Sequence, residues 1–237
     1  MEKMSTNFKD FISGYSIEVV PNSAAKIESF KEILPINTRV YIAHLETENI
    51  ATMIATAKRI NEEGFTVMPH IPARIIKNEM VLNDWISMYQ NEAGVDEALL
   101  LAGGSTKPVG DYDSSIQLIE SGLFDKAGFK RLHIAGHPEG SKDIDPDGGM
   151  KNVSEALSWK QEFSNRTDAA MAIAPQFCFD AKFTISSAGK YFSIKVIMNR
   201  PCSSFSTFST PLIFLSLFIV GGFEKPTNNL FVGFKLL

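Results

Sequence analysis

Cysteine is scarce in this chain: of its 237 residues, only Cys178 and Cys202 are cysteines. Two thiols are too few for a disulfide framework, and they cannot supply the ligands of a cysteine-built zinc site. This usage is typical of proteins that fold in a reducing compartment. We therefore expect a cytoplasmic protein.

The chain also lacks a basic surplus, a leader-like segment and a long apolar run. Its 23 Lys and Arg residues face 27 Asp and Glu residues, and no basic stripe offers a footprint for nucleic-acid phosphates. Residues 1–14 have no apolar core of a signal peptide. The apolar run at 212–223 is shorter than the roughly 20 residues that span a bilayer. We expect neither nucleic acid nor a membrane as a partner.

What the chain does contain is a repeated junction, where an aliphatic run stops and a polar or glycine-rich cluster begins. Six such junctions recur at intervals of roughly 25 to 40 residues, with helix-like segments between them. The predicted strands lie at 17–20, 40–44, 65–69, 98–102, 131–135 and 170–177, and the predicted helices at 24–34, 46–63, 78–93, 113–127 and 153–163. Six βα units of one polarity favour an α/β fold of the TIM (β/α)8 barrel type, whose chemistry lies at the carboxyl ends of the strands.

The composition changes after Asp180. Nine of the 18 Phe residues lie between Phe183 and Phe234, where Glu224 is the only acidic residue. We therefore divide the chain into a barrel body at 1–180 and an atypical Phe- and Ser-rich tail at 181–237. Segments 191–198 and 212–220 are candidates for strands seven and eight, and a non-native terminus is the alternative.

Glu18 stands inside the first predicted strand, within the run Ile17-Glu18-Val19-Val20. A carboxylate there must lie at the barrel mouth or be paired, because burying it alone is costly. A site of that kind raises the pKa of a carboxyl and suits it to general-acid chemistry. An ordinary salt bridge is the competing interpretation, and the spacing alone does not separate the two.

Three histidines, His44, His70 and His137, fall at the ends of predicted strands two, three and five. They suggest the metal centre of a barrel hydrolase, which we keep as a third hypothesis. Its supporting features are missing, since the first strand has no His-x-His pair. His133 cannot complete the site with His137, because four residues on a strand span roughly 13 Å.

Two loops bring backbone N–H groups close to where a ligand would lie. They are Gly103-Gly104-Ser105-Thr106-Lys107-Pro108 and Ala135-Gly136-His137-Pro138-Glu139-Gly140. Glycines let a backbone approach an anionic or planar ligand, although small residues also occur at strand ends only to let loops turn. Neither loop is a Walker P-loop or a dinucleotide fingerprint. Gln176 closes strand six with an amide that suits the edge of a pterin or pyrimidine ring.

Taken in order, these junctions resemble the flavin-dependent methylenetetrahydrofolate reductases over residues 14–180. Glu18 with Pro21 is similar to the family's Phe-Glu-Phe-Phe-Pro-Pro element, and Pro69-His70 to its Pro-His-Leu-Thr. Leu101-Ala102-Gly103-Gly104 stands where the family has Leu-Arg-Gly-Asp. Ala135-Gly136-His137-Pro138-Glu139 resembles Ala-Ala-Tyr-Pro-Glu, and Gln176-Phe177-Cys178-Phe179-Asp180 resembles Gln-Phe-Phe-Phe-Asp.

The resemblance implies a (β/α)8 barrel that binds FAD, takes hydride from NADH or NADPH, and interconverts 5,10-methylenetetrahydrofolate and 5-methyltetrahydrofolate. It implies that Glu18 promotes protonation of the folate at N10 and that Gln176 hydrogen-bonds the pterin. It also implies self-association into a homo-oligomer. The residues that the resemblance places around FAD are His70, Gly103, Gly104, Tyr112, Ala135, His137, Glu155, Ser158 and Lys160.

The chain departs from the family pattern beside the flavin. Gly104 stands in place of an Asp, Ala102 in place of an Arg, and His137 in place of a Tyr, while Gln161-Glu162 replaces a basic pair. Losing charge there alters the expected flavin potential, which leaves the direction of the reaction and the choice of nicotinamide open. A catalytically silent or truncated folate- or flavin-binding barrel is therefore the alternative hypothesis.

Overall fold

The computed structural model describes residues 14–176 and, beyond them, the backbone of two strands at 215–222 and 231–236. Its main element is a parallel sheet of six strands, curled into a half-barrel, with helices in the connections. Each strand pairs in parallel with the next. The prediction of an α/β fold built from six strands of one polarity is confirmed. The strands are β1 (Tyr15–Val19), β2 (Arg39–Ile42), β3 (Thr66–Pro72), β4 (Glu97–Leu101), β5 (Arg131–Gly136) and β6 (Ala170–Pro175).

Six α-helices lie in the connections between these strands. They are α1 (Pro21–Ala24), α2 (Ile50–Glu62), α3 (Glu79–Ala93), α4 (Ser115–Glu120), α5 (Leu123–Lys126) and α6 (Lys151–Ser164), with single 3-10 turns at Phe30–Glu32 and Ala73–Ile75. Among the described residues, no helix is long and apolar enough to cross a membrane.

Two of the predicted helices are wrong in extent. The segment 24–34 is not one helix, because the Glu63 carboxylate accepts the Phe30 backbone N–H at 2.6 Å in place of a helical carbonyl. Phe30 is fully buried, whereas Ile33 is 56% exposed, so the apolar spacing does not mark a single buried face. The predicted helix 113–127 is divided into α4 and α5 at Gly122, whose positive φ of 67° ends the first helix.

Helices α2 and α3 begin at capping asparagines. The Asn49 side chain accepts the Thr52 N–H at 2.8 Å at the start of α2, and Asn78 accepts the Val81 N–H at 3.1 Å at the start of α3. Gly94, with φ 65°, ends α3 in the left-handed conformation that favours glycine. Each helix buries one face against the outer side of the sheet, with Met53, Ile54, Ala57 and Ile60 from α2, and Leu82, Ile86, Tyr89 and Ala93 from α3.

The concave side of the sheet has its own small core. Tyr41, Met68, Leu99 and Ala172, from four different strands, form a separate buried cluster there. At the amino ends of the strands, Glu97 lies between two arginines, 3.0 Å from Arg39 Nε and 3.6 Å from Arg131 Nε. The contact between Glu97 and Arg39 joins β4 to β2, which are not neighbours in the sheet, and the curl of the sheet brings these two strands closer together.

Strand order continues through β7 (Leu215–Gly222) and β8 (Phe231–Leu236) back to β1. β7 runs antiparallel to both β6 and β8, while β8 is parallel to β1. This orientation differs from the eight parallel strands of the predicted barrel. β7 overlaps the predicted strand at 212–220. The candidate strand at 191–198 lies outside the described residues, and the division of the chain at residue 180 stays a prediction.

Candidate functional site

Glu18 and His70 meet at the concave side of the sheet. Glu18 is the fourth residue of β1 and His70 the fifth of β3. His70 Nε2 lies 3.4 Å from Glu18 Oε2, and each side chain is only 12% exposed. The sequence predicted that Glu18 would be either paired or placed at a mouth, and the structure places the His70 imidazole beside its carboxylate. This separation is slightly longer than a hydrogen bond, and one bridging water or a small side-chain movement would connect the carboxyl and the imidazole for proton exchange.

A second pair of polar side chains, Tyr41 and His133, lies beside Glu18 and His70 and is held in one protonation state. The Tyr41 hydroxyl is 2.6 Å from His133 Nδ1, and both residues are buried. Burial raises the pKa of Tyr41, and burial with the nearby charges of Arg39 and Arg131 lowers the pKa of His133 well below its usual range. Tyr41 is therefore the donor and neutral His133 the acceptor. This pair is buried in the interior of the curled sheet.

A cavity of about 330 Å³ opens between the carboxyl ends of β4 and β5 and helix α6. Its apolar wall is formed by Ile116, Ile144, Val153, Ala156 and Leu157. Its polar lining includes Arg74, Asp113, Asp143, Asn152, His137 and Lys160. A concave site that is mostly apolar, with a few convergent polar groups, is the usual form of a small-molecule or cofactor site.

Lys160 is the most unusual group in this cavity. It lies on α6 and is only 7% exposed, and it makes no ion pair or hydrogen bond with any of the described residues. Burial lowers the pKa of its ammonium from 10.5 to about 8. A buried cation without a protein counter-charge in the described part of the chain suits an anionic ligand group.

His137 faces the same cavity from the end of β5. Burial, with a smaller contribution from the Lys160 charge, lowers the pKa of its imidazole, and Asp143 opposes this effect. His137 is therefore neutral at physiological pH, where it offers one donor and one acceptor nitrogen. Such a side chain orients a polar ligand without adding charge.

Arg74 ties three loops together at the rim of the cavity. Its guanidinium contacts Asp113 Oδ1 at 2.7 Å and Asp143 Oδ2 at 3.0 Å, and it donates to the Ser105 carbonyl at 3.0 Å. These hydrogen bonds raise its pKa, so the charge is permanent. Because both carboxylates are already on Arg74, its charge is largely neutralised, and Lys160 is the cation left for a ligand among the described lining residues.

The amino end of α6 is fixed by a carboxylate from the preceding loop. Asp145 Oδ1 accepts the Asn152 N–H at 2.9 Å, and Oδ2 accepts the Val153 N–H at 3.1 Å. A carboxylate at a helix amino terminus satisfies free backbone donors and complements the helix dipole. It sets the rotation of α6, so that Asn152, Val153, Ala156 and Lys160 face the cavity.

Three of the residues predicted to surround a flavin, Ala135, His137 and Lys160, line this one cavity. Gly103 and Gly104 follow β4, and a Cβ on Gly103 would come within 3.0 Å of Pro72. Buried Tyr112 lies next to the cavity residue Asp113 in the chain. Glu155 and Ser158 lie on α6 away from its cavity-lining positions. Glu155 is exposed, and the Ser158 hydroxyl donates to the Ser154 carbonyl. Gln176 is exposed just after β6.

The metal-centre hypothesis gains no support from residues 14–176, where no group of three or more His, Cys, Asp or Glu side chains is placed to hold an ion. His44 instead stacks on Trp85 with ring centroids 5.1 Å apart. Its Nε2 is 3.2 Å from the Glu48 carbonyl, which only accepts, so Nε2 carries the proton.

Sequence reasoning missed Arg74, Asp113 and Asp143 as parts of the site. Arg74 is the last residue of the junction Pro69-His70-Ile71-Pro72-Ala73-Arg74, so its position at a strand end was a usable signal. The two aspartates lie in loops, and their meeting at Arg74 depends on loop conformations that local sequence does not encode. A scan of the sequence against models of known protein families finds no match.

Proposed function

We propose that this chain is a flavin-dependent oxidoreductase that interconverts 5,10-methylenetetrahydrofolate and 5-methyltetrahydrofolate, with NADH or NADPH as the hydride donor. The observation that carries the proposal is the convergence of Glu18 on His70, from β1 and β3, at 3.4 Å. The family resemblance picks out both residues independently of their contact. Two residues chosen from separate sequence motifs become neighbours, as a shared site requires.

The cavity beside α6 supports the same proposal as the cofactor site. Lys160 fits a flavin phosphate, because it is a buried cation with no counter-charge among the described residues. Gly136 at the end of β5 keeps the backbone accessible in this wall, and a side chain there would meet Ile173 at 2.5 Å. The bound FAD would supply hydride transfer between nicotinamide and folate.

The residues of the chain itself would then supply the proton and the orientation. Glu18 delivers a proton to N10 of the folate, which opens the five-membered ring and makes the one-carbon unit electrophilic. Exposed Gln176, at the end of β6, is placed by this proposal against the pterin edge. We further propose a (β/α)8-type barrel with a divergent closing segment, in a cytoplasmic protein that self-associates.

The first test is the absorbance spectrum of the purified protein. We expect a yellow protein whose flavin bands bleach when NADH or NADPH is added without oxygen, and recover when 5,10-methylenetetrahydrofolate follows. A colourless protein that does not take up added FAD contradicts the proposal. Flavin that binds but is never bleached would favour the alternative, a catalytically silent binding barrel. The replacement of charged residues by Gly104 and Ala102 is consistent with that alternative.

The second test separates the two half-reactions in Glu18→Gln. We expect reduction of the flavin by nicotinamide to stay within about twofold of wild type, and the folate half-reaction to fall by roughly 10²- to 10⁴-fold, as for loss of a general acid. Exposed Glu28→Gln is the matched control and should leave both rates unchanged. An equal loss in both half-reactions would remove Glu18 from the acid role.

A further inference from the structure

If Glu18 acts as the acid, each turnover removes its proton. The carboxyl must then be protonated again, although it is only 12% exposed to solvent. A buried acid needs a group that carries protons to it from solvent. His70 is a described residue in range, with Nε2 at 3.4 Å from the Glu18 carboxylate. His70 Nε2 makes no hydrogen bond within the described residues, so it is not committed to another partner.

The surroundings of His70 leave Glu18 as its proton-exchange partner. Tyr41 meets the imidazole from β2 at an angle of 72° with ring centroids 6.3 Å apart, and its hydroxyl is engaged with His133. Burial lowers the pKa of His44, and the nearby His70 lowers it further. His44 therefore stays neutral to lower pH than an ordinary histidine. Tyr41 stays protonated, since burial raises its pKa. Neither residue competes with Glu18 for the proton near neutral pH.

We propose that His70 is a proton-relay residue that returns a proton from solvent to Glu18, so that the working acid is the Glu18–His70 pair. This inference rests on the proposed function. The Glu18 carboxyl O–H bond breaks as the folate N10–H bond forms. The imidazolium N–H then breaks as the carboxyl O–H bond is restored, and the imidazole takes up a solvent proton. One solvent proton is consumed for each folate reduced, and no further reactant is needed.

The test is His70→Ala, measured per bound flavin in the two half-reactions. We expect flavin reduction by nicotinamide to stay within about twofold, and the folate half-reaction to fall about 10²-fold. Added imidazole should restore part of the folate rate, in proportion to its protonated form, because it enters the space left by the side chain. His70→Gln keeps the bulk and a hydrogen-bonding amide but cannot carry a proton, so it should show the same loss with little rescue.

His44→Gln is the matched control, since His44 lies at a neighbouring strand end and stacks on Trp85 instead of meeting Glu18. It should leave the folate rate and its pH dependence unchanged. A folate rate that stays at the wild-type level in His70→Gln overturns the relay. A loss that imidazole does not restore in His70→Ala, with the wild-type pH profile kept, also overturns it and leaves a structural role. A colourless protein fails the proposed function itself, which the spectrum reports before any rate is measured.

Discussion

Lys160 illustrates how one residue is costly to the fold and useful to a site. Its ammonium is buried in the cavity wall with no counter-charge from the described residues, and burial lowers its pKa to about 8. At 1.36 kcal/mol per pKa unit, the difference from 10.5 corresponds to about 3 kcal/mol of unfavourable burial at neutral pH. Residues that destabilise a fold in this way are typical of binding sites.

The first stability prediction concerns Lys160→Met. The native state binds the proton of the Lys160 ammonium less well than the unfolded chain does. The stability of the wild type therefore rises with pH between about 8 and 10.5. An apolar residue of similar length removes the cost. We expect Lys160→Met to be more stable than wild type by about 2 to 3 kcal/mol at pH 7, and by less than about 1 kcal/mol at pH 10. Urea unfolding at the two pH values measures the difference.

Lys151→Met is the control for this experiment, because Lys151 is exposed at the start of the same helix. It should change stability little at either pH. An equal gain for Lys160→Met at pH 7 and pH 10 would show that the buried charge is not the cause. In flavin-loaded protein, Lys160→Met should retain less FAD than wild type if Lys160 holds the flavin phosphate.

At the scale of elements, Arg74 is what joins the loops after β3, β4 and β5. It lies two residues after β3, donates to the Ser105 carbonyl and contacts Asp113 in the loop after β4, and contacts Asp143 in the loop after β5. The carboxylates are themselves more than half exposed, so solvent weakens each ion pair. The guanidinium fork is the reason that one side chain reaches all three loops.

Arg74→Lys should therefore loosen the rim without unfolding the sheet. A lysine keeps the charge, but its compact ammonium lacks the wide planar fork with which the Arg74 guanidinium reaches both carboxylates and the Ser105 carbonyl. We expect a loss of about 1 to 2 kcal/mol in stability and faster amide hydrogen exchange at 103–113 and 137–150. Lys130→Ala, which removes an exposed pair with Asp96, should leave exchange in both loops unchanged. Unaltered exchange in Arg74→Lys would show that the loops are held by other contacts.

The sequence predicted the elements whose signals are local. The predicted helices at 46–63 and 78–93 contain α2 and α3, the apolar faces of these helices follow helical spacing, and each strand ends at a polar junction. The segment 24–34 was wrong because the Glu63 carboxylate, 33 residues from Phe30, replaces a helical hydrogen bond. Glu18 was predicted to be paired or at a barrel mouth. Its contact with His70 depends on the curl of the sheet, which no local sequence pattern encodes.

At the scale of the whole molecule, the contacts across the concave side report the curl directly. Tyr41 and His133 are 92 residues apart in the chain and belong to β2 and β5, with two strands between them in the sheet. Arg39 and Glu97 likewise join β2 to β4. In a flat sheet, strands lie roughly 4.8 Å apart, so β2 and β5 would be separated by about 14 Å. A distance of 2.6 Å from the Tyr41 hydroxyl to His133 Nδ1 requires the sheet to curl.

This gives the last prediction, a double-mutant cycle between Tyr41 and His133. Tyr41→Phe leaves His133 Nδ1 buried without a donor, which should cost about 1 to 3 kcal/mol. In Tyr41→Phe with His133→Leu, no polar atom is left unsatisfied, so the combined loss should be smaller than the sum of the single losses by about 1 kcal/mol or more. Urea unfolding of the four proteins measures the coupling. A coupling energy near zero would mean that β2 and β5 do not face each other in solution. Glu18 and His70, which need the same curl to meet, would then lose the geometry on which their proposed acid role depends.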